Sequence, residues 1–184
     1  MDTVKSQKSF TLVELLVAVT IFTIIVTIST GIFFSALQAQ KKLLASQELF
    51  DQVSFLIEYM SRTIRMAKKE LSAPACLSQN GLNYEIGEVI PGKSGLKFKN
   101  YDGICQGFFL DNQILKEWKE GYTEPLSLTS SNLRINPFNI NLSGQSQTDN
   151  LQPRVTIFFE IEGKEQSKIK IQTTVSQRNP DVEK

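Results

Sequence analysis

One acidic side chain stands at the start of a long apolar run near the N-terminus of this 184-residue chain. Glu14 directly precedes the segment Leu15 to Leu37, which contains neither a charge nor a proline. A helix of that length can cross the hydrocarbon core of a bilayer, which is about 30 Å thick. Placing an acid in hydrocarbon costs roughly 2.5–3.5 kcal/mol, so the carboxylate predicts a functional site that has a partner. The alternative is an interfacial glutamate that only reaches the lipid headgroups.

The remaining composition offers little for catalysis. The chain has no histidine, which removes the usual proton shuttle and the commonest metal ligand. The sequence also has no glycine-rich phosphate loop and no CxxC pair. We therefore predict that the protein is not an enzyme and that it uses no metal and no cofactor. The net charge of +1 gives no electrostatic footprint for nucleic acid, so a nucleic-acid partner is not expected.

Two cysteines, Cys76 and Cys105, lie beyond the apolar run. If this part of the chain is exported, a disulfide between them would contribute about 3.6 kcal/mol on the chain-entropy model. If it stays in the cytosol, they are two buried thiols. Export is favoured because a short polar head precedes the span, and long domains cross membranes largely regardless of charge.

The residues around Glu14 carry a family resemblance. Phe10-Thr11-Leu12-Val13-Glu14-Leu15-Leu16-Val17, behind a short lysine-bearing leader, resembles the N-terminal processing motif of type IV pilins and pseudopilins. The resemblance implies that a prepilin peptidase cuts between Ser9 and Phe10 on the cytoplasmic side and methylates the new amine of Phe10. Ser9 departs from the family pattern, which normally has glycine before the cut.

The same resemblance implies a partner for the acid. After cleavage the amine of Phe10 would lie four residues before Glu14, near the same helix face. In the family this glutamate is thought to meet the N-terminal amine of a neighbouring subunit and to set the axial register of a filament. A charge left unpaired in a wrong register would be penalised by its desolvation cost.

The helical pattern continues past the apolar run. Apolar residues recur at spacings of three and four, which indicates one buried stripe of an amphipathic helix: Leu49, Val53, Leu56, Ile57, Met60, Ile64 and Ala67. We therefore predict one helix from Phe10 to about Glu70. The expected organisation is a leader peptide at 1–9, the transmembrane half of the helix at 10–37 and an exported globular domain at 38–184.

After Pro74 the sequence becomes rich in β-formers separated by glycine, asparagine and proline. The predicted strands are Leu82 to Ile86, Gly95 to Lys99, Ile104 to Leu110, Gln113 to Trp118, Leu133 to Asn136, Arg154 to Glu162 and Lys168 to Ser176. A tight turn is expected at Asp111-Asn112, an exposed loop at Asn139 to Gln152 and a flexible tail from about Gln177.

In the last strand pair, the alternation of apolar and polar residues is compatible with a register in which Phe159 lies opposite Ile171, and the alternative is a solvated face without cross-strand charge pairs. That register brings two pairs of opposite charges together on the wet face: Glu160 with Lys170 and Glu162 with Lys168.

These patterns predict an α+β, pilin-like fold in which the long N-terminal helix packs on an antiparallel β-sheet domain. The ending Gln172 to Asn179 is similar to the terminal strand of minor pseudopilins of the J type and related minor pilins. The resemblance implies a minor pilin or pseudopilin that assembles into a type IV pilus, a type II secretion pseudopilus or a DNA-uptake filament. The alternative is a membrane-anchored binding module, either a filament-tip adhesin or a DNA receptor. An exported, tethered enzyme has no residue constellation behind it.

The expected partners are prepilin peptidase, other pilin or pseudopilin subunits and the inner-membrane assembly platform. The expected location is the cytoplasmic (inner) membrane, crossed once with the N-terminus inside. The globular domain then lies outside, in a periplasmic pseudopilus or a cell-surface filament.

Overall fold

The computed structural model describes residues 11–73, 75–145 and 151–178. The chain divides into two compact units, Met1–Leu43 and Leu44–Lys184. The secondary-structure elements, in chain order, are α1 (Leu12–Arg65), β1 (Tyr84–Ile90), β2 (Lys93–Lys99), β3 (Cys105–Asp111), β4 (Ile114–Lys119), β5 (Leu126–Ser127), β6 (Arg134–Ser143), β7 (Arg154–Glu162), a 3₁₀ turn (Lys164–Gln166) and β8 (Lys168–Ser176). A long helix followed by antiparallel sheets confirms the predicted α+β, pilin-like fold class.

The first unit contains the apolar part of α1. In the described part of the chain, α1 is the one helix that is long and apolar enough to cross a membrane. Its hydroxyl groups bond within the helix: Thr20 donates to the Val17 carbonyl and Thr27 to the Thr23 carbonyl, each at 2.8 Å. Such internal bonds allow a polar side chain to stay in an apolar segment, because the hydroxyl needs no outside partner.

In the second unit, α1 buries one stripe of side chains, as the spacing predicted. Leu49, Val53, Leu56, Met60 and Ile64 are each at most 3% exposed, whereas the predicted stripe member Ile57 is only half-buried. No glycine or proline interrupts the helix there, so helix propensity and packing agree.

The helix ends at Arg65, earlier than the predicted end near Glu70. The amide of Ala67 bonds to the Ile64 carbonyl at 3.1 Å, which tightens the last turn. The amide of Lys68 then donates to the Lys99 carbonyl at 2.8 Å in an isolated antiparallel bridge. The chain therefore leaves the helix to join the end of β2, a long-range contact that spacing along the sequence does not reveal.

The first sheet is an antiparallel meander in the order β1-β2-β3-β4-β5. Strand β1 ends at Ile90, beyond its predicted end, and strand β2 begins at Lys93, before its predicted start. The two strands are longer than predicted because a tight turn at Pro91-Gly92 joins them, in which Gly92 has a φ of +76°. The β3–β4 turn lies at Asn112 and Gln113, both with positive φ, rather than at the predicted Asp111-Asn112. The short strand β5 was not predicted.

The second sheet has the order β6-β7-β8. The predicted register of β7 and β8 is confirmed: Phe159 pairs with Ile171, Glu160 with Lys170 and Glu162 with Lys168. The ammonium of Lys170 lies 3.3 Å from the Glu160 carboxylate, and Lys168 forms an ion pair with Glu162.

The predicted loop at Asn139 to Gln152 is wrong in its first part, because β6 continues to Ser143. Within β6, Phe138, Ile140 and Leu142 are half-buried, and the polar residues between them are exposed. This alternation is typical of a strand in a sheet with one solvent-exposed face. The strand was predicted as a loop because its exposed residues include several asparagines.

The prediction of a flexible tail from about Gln177 is wrong for Gln177 and Arg178, which are held by contacts with the residues around the end of α1. Gln177 is 3% exposed, and its side chain donates to the Ala67 carbonyl at 2.9 Å. The amide of Arg178 donates to the Arg65 carbonyl at 2.8 Å. Residues 179–184 lie outside the described residues.

One hydrophobic core joins the second unit. The buried stripe of α1 meets side chains from both sheets, among them Leu96, Phe98, Phe108 and Leu115 from the first sheet and Val155, Ile157, Phe159 and Ile161 from the second. The helix therefore acts as the spine of this unit, and both sheets are fixed against it.

Candidate functional site

Glu14 lies in the first turn of α1. Its backbone amide donates to the Thr11 hydroxyl at 3.3 Å, and the Leu15 amide donates to the Thr11 carbonyl at 3.2 Å. Thr11 thus caps the helix, and the positive end of the helix dipole favours an acid in this turn. The Glu14 side chain is exposed and forms no ion pair with any described residue.

The two predicted processing residues, Ser9 and Phe10, lie outside the described residues. The structure therefore does not test the cut between them or the pairing of Glu14 with an amine. Both assignments stay predictions.

Cys76 and Cys105 form a disulfide in the second unit. The S–S distance is 2.06 Å and the Cα atoms are 5.2 Å apart, within the usual range for such bonds. The bond joins the loop after α1 to the first residue of β3. Leu82 and Trp118 pack against it beside the buried Leu77.

Next to the disulfide lies a fully buried carboxylate, that of Glu70. Its two oxygens accept hydrogen bonds from the backbone amides of Ser72 and Cys76, each at 3.0 Å, and of Leu77 at 3.4 Å. The ammonium of Lys99 lies 3.2 Å away. The side chain is 0% exposed, so all of these partners are supplied by the protein.

These partners decide the charge of Glu70. Burial by itself would raise the pKa of the carboxyl, since it penalises the charged form. The amide donors and the Lys99 ammonium outweigh burial and lower the pKa of Glu70 to about 2. Glu70 is therefore ionised at neutral pH and holds the loop that carries Cys76.

A second buried carboxylate, Glu117 on β4, connects the first sheet to α1. One carboxylate oxygen of Glu117, Oε1, accepts two hydrogen bonds: one from the Tyr59 hydroxyl at 2.7 Å and one from the side-chain amide of Gln106. Asn100 extends this hydrogen-bond network, because its side-chain amide donates to the side-chain oxygen of Gln106 at 3.1 Å. The ammonium of Lys119 lies 3.4 Å from the other carboxylate oxygen, which accepts no hydrogen bond among the described residues.

The charges of this network follow from its contacts. Burial, together with the carboxylate of Glu117, raises the pKa of the Tyr59 hydroxyl. Burial disfavours the Lys119 ammonium, but its contacts with Tyr59 and Glu117 prevail and raise the pKa of Lys119. The network therefore joins side chains of α1, β3 and β4 at the junction of helix and sheet, and its contacts fix these elements against each other.

Sequence reasoning missed the roles of Glu70 and Glu117. Glu70 follows a charged helical pattern, and Glu117 lies in a strand whose two faces each combine apolar and polar residues, so alternation does not show which face is buried. Nothing in their spacing signals burial, because their partners come from distant parts of the chain. In the described part, no three metal-ligating side chains gather at one point.

Residues 4–30 match the family model described as the prokaryotic N-terminal methylation motif. No curated protein and no solved structure matches the chain. The matched segment covers the positions of Ser9, Phe10 and Glu14 and runs into the apolar part of α1.

The motif and the α+β fold together support the class of type IV pilin-like prepilins. Such a chain is compatible with a membrane-anchored pilin that is processed by prepilin peptidase.

Proposed function

We propose that this chain is a minor pilin or minor pseudopilin, a structural subunit that assembles through α1 into a type IV pilus, a type II secretion pseudopilus or a DNA-uptake filament. The observation that carries the proposal is the methylation motif at residues 4–30, which leads directly into an apolar helix. A structural subunit of this kind needs no catalytic site, because its work is done by packing.

In this proposal, residues 1–9 are a leader, residues 10–37 are the membrane half of the helix, and residues 38–184 are an exported domain. Prepilin peptidase cuts between Ser9 and Phe10, and the amine of Phe10 is methylated. The disulfide between Cys76 and Cys105 supports export, because such bonds persist in oxidising compartments. The N-terminus then lies inside, and the inner-membrane assembly platform draws the subunit into the filament with its siblings.

Glu14 is the proposed register element. Its side chain is exposed, and the described part of the chain supplies no counter-ion for it. An amine from a neighbouring subunit would give it one. Because an unpaired acid in an apolar helix bundle is costly, only the register that forms this pair is stable.

Processing is tested by mass spectrometry of the N-terminus after co-expression with a prepilin peptidase. We expect a chain that begins at monomethylated Phe10, and an intact chain when the peptidase is omitted. The control is Ser9→Gly, which restores the usual residue before the cut. If Ser9→Gly is cleaved and the native chain keeps Met1, the native chain is not a processed subunit and the proposal fails.

Assembly is tested separately with Glu14→Ala. We expect a protein that is cleaved and membrane-resident but is incorporated into filaments at least about tenfold less, since the lost pair is worth more than about 1.4 kcal/mol. The matched control is Glu124→Ala, which removes an exposed acid of the β4–β5 loop. Equal incorporation of the two variants would show that Glu14 does not set the register.

A further inference from the structure

A cleft of about 670 Å³ opens at the end of α1, within the second unit. We call it the arginine cleft; it is lined by Glu58, Ser61, Arg62, Arg65, Met66 and Arg178. Three of the five arginines of the chain therefore face one cavity. All three are exposed at its surface.

The backbone holds these arginines together. Arg62 and Arg65 lie in the last turn of α1, and the amide of Arg178 donates to the Arg65 carbonyl at 2.8 Å. The buried Gln177 fixes the same segment through its bond to the Ala67 carbonyl. The cluster is thus built by a contact between the end of the helix and the segment that follows β8.

The three guanidinium groups have no counter-ion in the described part of the chain. The ion pairs that the structure shows there all use lysine: Lys93, Lys99, Lys116, Lys119, Lys164, Lys168 and Lys170. Glu58 lines the arginine cleft, yet its carboxylate pairs with none of the three arginines. The guanidinium of Arg178 donates to the Met66 sulfur at 4.0 Å, a contact with an uncharged group.

Such a cluster fits an anion that more than one guanidinium group can bind. Like charges held in one cavity repel each other, and a bound anion removes that repulsion. Guanidinium groups bind carboxylates in a bidentate manner and are the usual choice where such recognition matters. Single-stranded nucleic acid is usually bound by cations together with aromatic rings that stack on the bases, and no aromatic side chain lines this cleft.

We propose that the arginine cleft binds a carboxylate-rich segment of a protein partner. The proposal is independent of filament assembly, since it concerns only the end of the helix in the second unit. Met66 and Ser61 provide an apolar and a polar wall, as a peptide with mixed side chains requires.

The test uses the full chain in detergent and three fluorescent probes: a hexaglutamate peptide, a hexaglutamine peptide and a six-residue thymidine oligonucleotide. The cleft variant is Arg62→Gln with Arg65→Gln and Arg178→Gln. The control variant removes the same charge from three other positions that have no ion pair in the described part of the chain. It combines substitution of the half-buried Lys97 with substitution of two exposed arginines: Lys97→Gln with Arg134→Gln and Arg154→Gln. Anisotropy is measured at low and physiological salt, because salt screens exposed charges.

We expect hexaglutamate to bind the native chain and the control variant equally, and the cleft variant at least about tenfold more weakly. Hexaglutamine should not bind. The proposal is overturned if hexaglutamate shows no binding below about 1 mM, if the control variant loses as much affinity as the cleft variant, or if the oligonucleotide binds more tightly than hexaglutamate.

Two further occupants are tested in parallel. If hexaglutamate binds only after deletion of residues 179–184, the cleft serves the chain's own terminus and no partner is needed. If the cleft variant changes the oligomeric state by light scattering while the peptide fails to bind, the occupant is a second copy of this chain. Either result overturns the proposal of an acidic partner.

Discussion

The carboxylate of Glu70 and the backbone amide of Cys76 lie 3.0 Å apart, in hydrogen-bond contact. The residue that accepts this bond follows the long helix, and the residue that donates it forms the disulfide to β3. The loop after α1 is therefore held twice, once by a buried charge and once by a covalent bond. Both restraints act on the same few residues, so their effects on stability are expected to be coupled.

Glu70→Gln should lower the free energy of unfolding by about 2–4 kcal/mol. The neutral amide brings its own N–H donors to a site that already contains three backbone donors, and it leaves Lys99 without its counter-ion. Urea unfolding of the full chain in detergent, followed by the fluorescence of the single tryptophan, Trp118, measures this loss. The control Glu124→Gln, on an exposed loop, should change stability by less than about 0.5 kcal/mol.

The same carboxylate should give the protein a specific acid sensitivity. The pKa of Glu70 is about 2 in the folded state against an ordinary value of 4.5, so its stabilising effect is complete above pH 4.5. That effect is lost as the pH falls towards about 2, and it amounts to at most about 3 kcal/mol. The difference in unfolding free energy between the native chain and Glu70→Gln should therefore shrink between pH 5 and pH 2.5. A difference that stays constant over this range would contradict the assignment.

Removal of the disulfide, by Cys76→Ser with Cys105→Ser, should lower the free energy of unfolding by about 3–4 kcal/mol. The bond closes a loop across a sequence separation of 29, which limits the freedom of the unfolded chain. Reductant should destabilise the native chain by a similar amount and leave the double-serine variant unaffected.

Adding Glu70→Gln to the double-serine variant completes a double-mutant cycle. Because both restraints hold the same loop, we expect a coupling energy of about 0.5–3 kcal/mol. Additive effects would show that the charge and the disulfide stabilise the unit separately.

Gly95→Ala should destabilise the first sheet by about 2–4 kcal/mol, because a Cβ there would lie 2.0 Å from the Phe108 carbonyl oxygen on the neighbouring strand. The matched control is Gly87 on β1, which pairs with Gly95 on β2. A Cβ at Gly87 would meet no atom closer than 3.9 Å. Gly87→Ala should cost less than about 1 kcal/mol. Equal losses in urea unfolding would show that the close approach at Gly95 relaxes freely.

The buried stripe and the C-terminal end of α1 differ in how well the sequence predicted them. The buried stripe from Leu49 to Ile64 was predictable because burial of a helix repeats every 3.6 residues. The end of the helix was not, because Lys68 pairs with Lys99 across a long stretch of chain. In the same way, alternation indicated which residues of β7 and β8 share a face, but it could not show that Glu117 is buried, because both faces of β4 combine apolar and polar residues.

The sequence by itself determined the features that depend on neighbouring residues: the processing motif around Phe10 and Glu14, the apolar helix behind it, and the pairing of the last two strands. These follow from local chemistry and from the periods of helix and strand. Only the tertiary structure decided which distant residues meet: Cys76 with Cys105, the buried Glu70 with Lys99, and Arg178 with the last turn of α1. The physical reason is that charge, burial and covalent pairing depend on distance in space, which the folded chain sets by packing both sheets against one helix.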